Sequence, residues 1–270
     1  MKKYIVLSVN NNVDYFYFLP LTCWAWKKFG WEPIVFYHRY NDLQTDKEKE
    51  LEDLSMIVDF KTRIIRGIEG YRSDTITQIS RLYGACNWDN EYLMTGDIDM
   101  IPLSNYWQPD LESITVYGHD LTGYGHYPIC YIGMQSRKWR EVMNIDSSDH
   151  NQMIKRDLDT LPQAKDPDFY KYWFSDQDLI TARLNEYGKE KITFINRGQG
   201  KHGYAYGRVD RGNGGWVLDQ PELIDAHLMQ QTHHSQEKIY KLMQLLRHVW
   251  PNEDFTWFEK YTEEFRRLAV

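Results

Sequence analysis

Short apolar runs alternate with amphipathic stretches along the first part of the chain, a pattern that predicts strands and helices in turn. Tyr4–Val9 is a nearly continuous apolar run, as in a strand covered on both faces, and it ends in Asn10-Asn11-Asn12, polar residues suited to a turn. A helix is predicted from Leu19-Pro20, where proline is tolerated in a first turn, through Trp24 and Trp26 to Phe29, with Gly30 as its stop. Pro33–Tyr37 then reads as a second strand, which makes the opening a βαβ unit. Asn41–Asp53 is charged and predicts a surface loop and helix, and Met56–Phe60 and Thr62–Ile65 carry faint strand patterns. Ser73–Cys86 has helical spacing, with Ser73 as candidate N-cap, Ile76, Ile79, Leu82 and Tyr83 on one face, and Arg81 on the other.

The next apolar run, Tyr92-Leu93-Met94, passes through Thr95-Gly96 into Asp97-Ile98-Asp99, read as extended. Ser113–Gly118 and Ile129–Gln135 predict two further strands, the second with Gly133, whose missing side chain lets a ligand or another backbone come close. A helix over Arg137–Met143 follows, and the polar stretch Asp146–Asp168 reads as an insertion or flexible excursion. Phe174–Leu184 predicts a helix with Ser175 as N-cap and Asp178 three residues later. Lys191–Ile195 and Leu223–Leu228 are strand candidates, and a basic amphipathic helix follows His233-His234. That helix carries Ile239, Leu242, Met243, Leu246, Val249 and Trp250 on one face; docking on the sheet is its expected fate, with peripheral membrane contact as the alternative. A last helix covers Phe258–Leu268.

Composition narrows the classes. The net charge of −7 argues against a general phosphate-backbone binder, so no nucleic-acid partner is expected. Cys23, Cys86 and Cys130 are scattered and odd in number, with no disulfide framework and no zinc spacing, which points to a reducing, cytoplasmic compartment. The opening apolar run is too short for a signal peptide or a membrane span. With 20 Tyr, 10 Trp and 11 Phe, the aromatic load suits stacking on sugar rings or bases as well as an aromatic core.

The candidate chemistry centres on Asp97 and Asp99. In an extended segment both carboxylates face the same side, where they repel each other unless a cation lies between them. Oxygen ligands of this kind suit Mn²⁺ or Mg²⁺, and a solvated strand end is the bland alternative. Further on, Arg197–Trp216 holds seven glycines (198, 200, 203, 207, 212, 214 and 215) with Arg197, Lys201, His202, Arg208 and Arg211. Such a stretch predicts a mobile basic loop with an anionic target, or simply a solvated one. Gly198–Gly203 spells GxGxxG, but no helix is predicted to follow, so it is no dinucleotide fingerprint.

Taken in order, five stretches resemble the GT-A fold nucleotide-sugar glycosyltransferases, family 8 above all: YIVLSVNNN, ISRLYGACNWDNEYLMTGDIDMIPL, PICYIGMQSRKWREVM, SDQDLITARL and IDAHL. The resemblance covers roughly a third of the chain. It implies a single α/β domain over residues 1–270, a Rossmann-like mixed sheet flanked by helices with further helices at the C-terminus. Residues 1–103 would form the nucleotide-sugar half and 104–270 the acceptor half. It further implies a metal-dependent transferase using a nucleotide-sugar donor, UDP-linked before GDP-linked, and a glycan or other hydroxyl acceptor. By that resemblance Asp97, Asp99 and His227 hold the metal, with His233 and His234 as rivals to His227. Asn10, Asn11 and Val13 lie by the base and ribose, joined by Asp97, and Arg81 reaches the diphosphate or sugar. Lys201, His202, Arg208 and Arg211 close over the diphosphate as a lid. Gln177 lies by the donor sugar, and Asp176, Asp178 and Asp120 are the candidate catalytic carboxylates; for Asp176 and Asp178 a favourable place in the helix dipole is the alternative. Cys130-Tyr131-Ile132-Gly133 departs from the family 8 pattern at the donor-sugar contacts. Two other readings stand beside this one: an inactive sugar-nucleotide or glycan binder on the same fold, and a sugar-1-phosphate nucleotidyltransferase. The latter lacks its glycine-rich loop, since Ser8–Asp14 contains no glycine.

Overall fold

A computed structural model describes residues 1–39, 45–86, 88, 90–121, 125–166, 168–200 and 203–269. The strands are β1 (Lys3–Val9), β2 (Glu32–Arg39), β3 (Lys61–Arg66), β4 (Tyr92–Thr95), β5 (Met100–Pro102), β6 (Ile114–Tyr117), β7 (Ile132–Gln135), β8 (Ile192–Ile195), β9 (Arg208–Val209) and β10 (Asp225–His227). Seven form one sheet in the order β3-β2-β1-β4-β7-β6-β8, with β7 antiparallel to both of its neighbours and every other pairing parallel. A small second sheet, β5-β10-β9, pairs β10 antiparallel to β5 and parallel to β9.

The unbroken apolar run of β1 follows from its place inside this sheet. Ile5, Leu7 and Val9 enter one core, and Tyr4 and Val6 enter a second core on the opposite face. The first core is covered by the helix Leu19–Lys28 and the two C-terminal helices, Gln236–Val249 and Thr256–Ala269. Docking in the core is therefore the fate of the amphipathic helix after His233-His234. Most of the aromatic content packs here too: Tyr17 lies among Phe258, Tyr261 and Phe265, and Trp26 among Trp31, Trp107 and Tyr131. Among the described residues no helix is long and apolar enough to cross a membrane.

Several local expectations are corrected. Met56–Phe60 is not a strand: Met56 caps the C-terminus of the helix Asp46–Ser55. The stretch 146–168 is no loose excursion, because the helix His150–Leu158 buries Met153, Ile154 and Leu158 in the second core. Its Asp157 is fully buried and is held by Arg156 (2.8 Å), Arg183 (3.0 Å) and the Tyr83 hydroxyl (2.5 Å). The helix Ser175–Tyr187 has Phe174 at its N-cap position in place of Ser175, whose hydroxyl donates to the Tyr172 carbonyl (2.7 Å) instead of capping. Ser73–Cys86 is α-helical only to Ser80 and continues as a 3-10 helix over Arg81–Cys86. The space left by Gly133 is filled by the ring of Tyr92, not by a ligand or another backbone.

Candidate functional site

The first site residues come from the carboxyl end of β1, where the chain leaves the sheet and its polar groups need new partners. Asn10 finds them at the start of the helix Ser73–Ser80: its amide donates to Ser73 Oγ (3.2 Å) and Asp74 Oδ1 (2.9 Å), while its Oδ1 accepts the Asn12 backbone N–H (3.1 Å). Ser73 Oγ in turn meets His38 Nδ1 at 2.8 Å. Asn10 is thus a nearly buried, fixed wall of a cavity that Ser8, Asp74, Thr77 and Gln78 also line.

Asp97 and Asp99 reach the same cavity, but through a turn and not an extended strand: Ile98-Asp99 is the turn that joins β4 to β5, closed by Met100 N–H on the Asp97 carbonyl (3.2 Å). Ile98 faces the core, as expected, and its carbonyl accepts the Thr22 hydroxyl (2.6 Å). Arg81 is buried, not solvated, and forks between two carboxylates. One amino group donates to Asp97 and to the Gly96 carbonyl (3.0 Å), the other to Asp176 Oδ2 (2.6 Å). Burial works to raise the Asp97 pKa, yet the Arg81 guanidinium holds this carboxyl below the usual range. For Asp176 burial prevails over Arg81, and the group is pushed up.

A second charged group forms around Asp99. Its Oδ2 lies 2.7 Å from Arg211 Nη1 and 3.4 Å from His227 Nε2. The β10–β5 pairing sets His227 against Met100, the residue after Asp99, so the small sheet delivers the imidazole to the carboxylate. On its other side His227 Nδ1 lies 3.4 Å from Asp210 Oδ2. Burial disfavours the imidazolium, but Asp210 and Asp99 outweigh it and raise the His227 pKa to about 9. Asp97, Asp99 and His227 are thereby brought together on one cavity with Asn10, Arg81, Asp176, Gln177 and Arg211.

Other expected residues lie elsewhere. Asn11 donates to Glu48 Oε1 (3.0 Å) and, with Val13, borders a separate hollow beside Tyr37 and Ala269. Asp178 accepts from Gln163 (2.9 Å) and meets His126 at 3.3 Å, away from the cavity lining. Asp120 accepts the backbone N–H groups of Arg197 (3.1 Å) and Gly198 (2.8 Å), which fixes the start of the glycine-rich stretch. Arg208 is not on the cavity either: with Arg197 it grips the fully buried Asp225, at 2.8 and 2.9 Å. These two cations overcome the burial of Asp225 and hold its carboxyl far below the usual range. Lys201 and His202 lie outside the described residues. Of the stretch 203–216, Arg211 is the cation that reaches the cavity.

Some residues of the site were not foreseen. Asp210, behind His227, had a signal, being the lone acidic residue of 197–216, and Trp173, which lines the cavity, sits three residues before Asp176. Tyr15 faces the cavity from the helical turn Val13–Phe16, whose N-cap is Asn12, and its hydroxyl accepts from Gln230 (2.6 Å).

The sequence matches no protein-family model and no curated protein. The fold is similar to the crystal structure of the galactosyltransferase LgtC in complex with donor and acceptor sugar analogues, with a TM-score of 0.51 and 13% identity over 96% of this chain and 99% of that one. At that identity the likeness is one of fold. The chain has the GT-A glycosyltransferase fold, a mixed α/β structure with a seven-stranded central sheet flanked by helices.

Proposed function

We propose that this protein is a metal-dependent glycosyltransferase that moves a sugar from a nucleoside diphosphate sugar, UDP-linked, to a glycan or other hydroxyl acceptor. The observation that carries the reading is the convergence of Asp97, Asp99 and His227 on the cavity at the carboxyl ends of β1 and β4, where open α/β sheets bind ligands. Two carboxylates and an imidazole are a donor set suited to Mn²⁺, or to Mg²⁺ with more water. An ion held by Asp97, Asp99 and His227 would neutralise the diphosphate as its bond to the sugar breaks. The chain's own cations add to this: Arg211, on Asp99, is free to turn to the diphosphate once Asp99 takes the metal. Asn10, fixed by Ser73 and Asp74, lies beside the nucleoside. Asp176, oriented by Arg81, and Gln177 lie across the cavity by the donor sugar, and Trp173 offers an aromatic face to a sugar ring. Residues 1–103 and 104–270 both contribute to this one cavity, the former for the nucleotide and the latter for the sugar and acceptor.

The test is release of UDP from a panel of UDP-sugars with Mn²⁺, alone and with candidate acceptors. Turnover or hydrolysis of one donor is expected. If no donor reacts and no nucleotide binds with metal, the reading is lost; donor binding without turnover would favour an inactive binder. Asp97 is held by the buried Arg81, whereas Asp99 faces His227 and is held by the more exposed Arg211, so Asp99→Ala should cost more Mn²⁺ affinity than Asp97→Ala. Equal losses would overturn that division of labour.

A further inference from the structure

We propose that Asp14, His233 and His234 form a second metal site, for Zn²⁺ or a similar borderline divalent ion, which ties the turn after β1 to the segment after β10. Asp14 stands in the first turn of Val13–Phe16, and the two histidines end the short 3-10 helix Thr232–His234. One ligand atom from each residue lies within 4.8 Å of the other two. None of the three lines the cavity that holds Asp99 and His227.

His233 supplies the independent observation. It is fully buried, and neither of its ring nitrogens has a hydrogen-bond partner. A buried polar atom left without a partner loses its hydration with nothing in return, so native structures rarely leave one. Here the ring is locked between Tyr17 and Phe265, with centroids 5.6 and 5.4 Å away, and its Nδ1 points at Asp14 Oδ1, 4.0 Å distant. That gap is too wide for a hydrogen bond and leaves room for an ion between the two atoms. The His234 ring lies against it, at a centroid distance of 3.9 Å, and is exposed. Ligands bound at about 2.0–2.1 Å to one ion sit closer together than 4.8 Å, so ordering of the exposed His234 ring is part of binding. Two neutral imidazoles and one carboxylate favour Zn²⁺ over Mg²⁺ and leave a fourth position to water. The neighbouring residue Tyr15 lines the main cavity and is bonded to Gln230, so an ion here would brace that wall at both chain segments.

The experiment uses the full chain stripped of metal with a chelator and titrated with Zn²⁺, read by calorimetry and by the rise in Tm. To silence the main cavity, it is run in an Asp99→Asn background. One zinc equivalent and its Tm rise are expected to persist there. His234→Ala, at an exposed position that the fold tolerates, and Asp14→Asn should each weaken that equivalent by about tenfold or more and remove the Tm rise. Unchanged zinc affinity in both variants, or loss of all zinc binding in Asp99→Asn alone, would overturn the proposal. Neither readout depends on glycosyl transfer.

Discussion

Asp210 stands behind His227, its Oδ2 3.4 Å from the ring Nδ1, while Nε2 faces Asp99. Asp210 is itself fixed, since its Oδ1 accepts the Gly212 N–H (2.8 Å) and its own N–H donates to the Gly215 carbonyl (2.9 Å). A carboxylate on the far nitrogen sets the tautomer and direction of an imidazole ligand and makes it a better donor. Asp210→Asn is therefore expected to weaken Mn²⁺ binding by roughly 10–100-fold. Metal titration of wild type, Asp210→Asn and His227→Ala checks this; an Asp210→Asn protein with wild-type metal affinity would remove the orienting role.

Arg81 makes a different demand on the fold. Taking it away leaves Asp176 buried without a counter-charge, which typically costs about 3–5 kcal/mol. Arg81→Ala should lose that much stability in urea unfolding at pH 7. Arg81→Met combined with Asp176→Leu should regain part of it, because neither charge then needs solvation. If Arg81→Ala unfolds at the wild-type urea midpoint, the pair carries no such weight.

The contrast between these residues explains what could be read in advance. The inner strands β1 and β2 were legible because each buries both faces and so is written as an apolar run, Tyr4–Val9 and Pro33–Tyr37, whereas the mostly exposed edge strand β3 gave only a faint pattern. The Asp97–Asp99 pair was legible as a motif, but its backbone was not, since alternation suggests a strand where a turn presents the two carboxylates. Buried charge was least legible. Arg81, Asp157 and Arg197 read as surface residues by type, and partners distant in sequence, 95 residues away for Arg81 and Asp176, help to make their burial tolerable. Polar composition misled at 146–168 for the same reason: Met153, Ile154 and Leu158 fill one helix face, and the rest is solvated.

His38 gives the fold an acid-sensitive point. It is buried beside Ser73, and burial lowers its pKa from 6.5 to about 4. The unfolded chain therefore binds this proton at higher pH than the folded one. The contribution is complete above about pH 6.5 and is lost as pH falls towards 4, amounting to about 2 kcal/mol between pH 7 and 5. His233, lowered to about 4 by burial, adds to the same limb. Unfolding free energies at pH 7 and 5 should show a smaller acid loss in His38→Gln than in wild type; an identical loss would place the sensitivity elsewhere.

Gly133 lies in the sheet opposite Met94 and Thr115, where an added methyl group would run into the phenol of Tyr92. Tyr92 is itself almost wholly buried and has little room to move. Gly133→Ala should therefore cost about 1–3 kcal/mol, and Gly133→Ala with Tyr92→Phe should recover part of that, since the phenolic oxygen makes the closest approach. Thermal unfolding of the three variants separates the outcomes, and an additive pair would mean that the clash is relieved by the backbone.

Arg208 and Arg211 lie three residues apart in the glycine-rich segment and are expected to fail in opposite ways. Arg208 is fixed on Asp225 beside Arg197, in a buried cluster that also takes the Tyr131 hydroxyl (3.3 Å). Arg208→Ala leaves Asp225 with Arg197 as its remaining cation and should lower stability by about 1–3 kcal/mol with little change in donor affinity. Arg211 is more exposed, rests on Asp99 and lines the cavity, so Arg211→Ala should leave Tm nearly unchanged and weaken binding of a nucleoside diphosphate by roughly tenfold. Calorimetric titration with UDP and Mn²⁺, beside thermal unfolding, measures both. A donor-affinity loss in Arg208→Ala as large as in Arg211→Ala, at unchanged Tm, would show that Arg208 leaves Asp225 to act at the diphosphate.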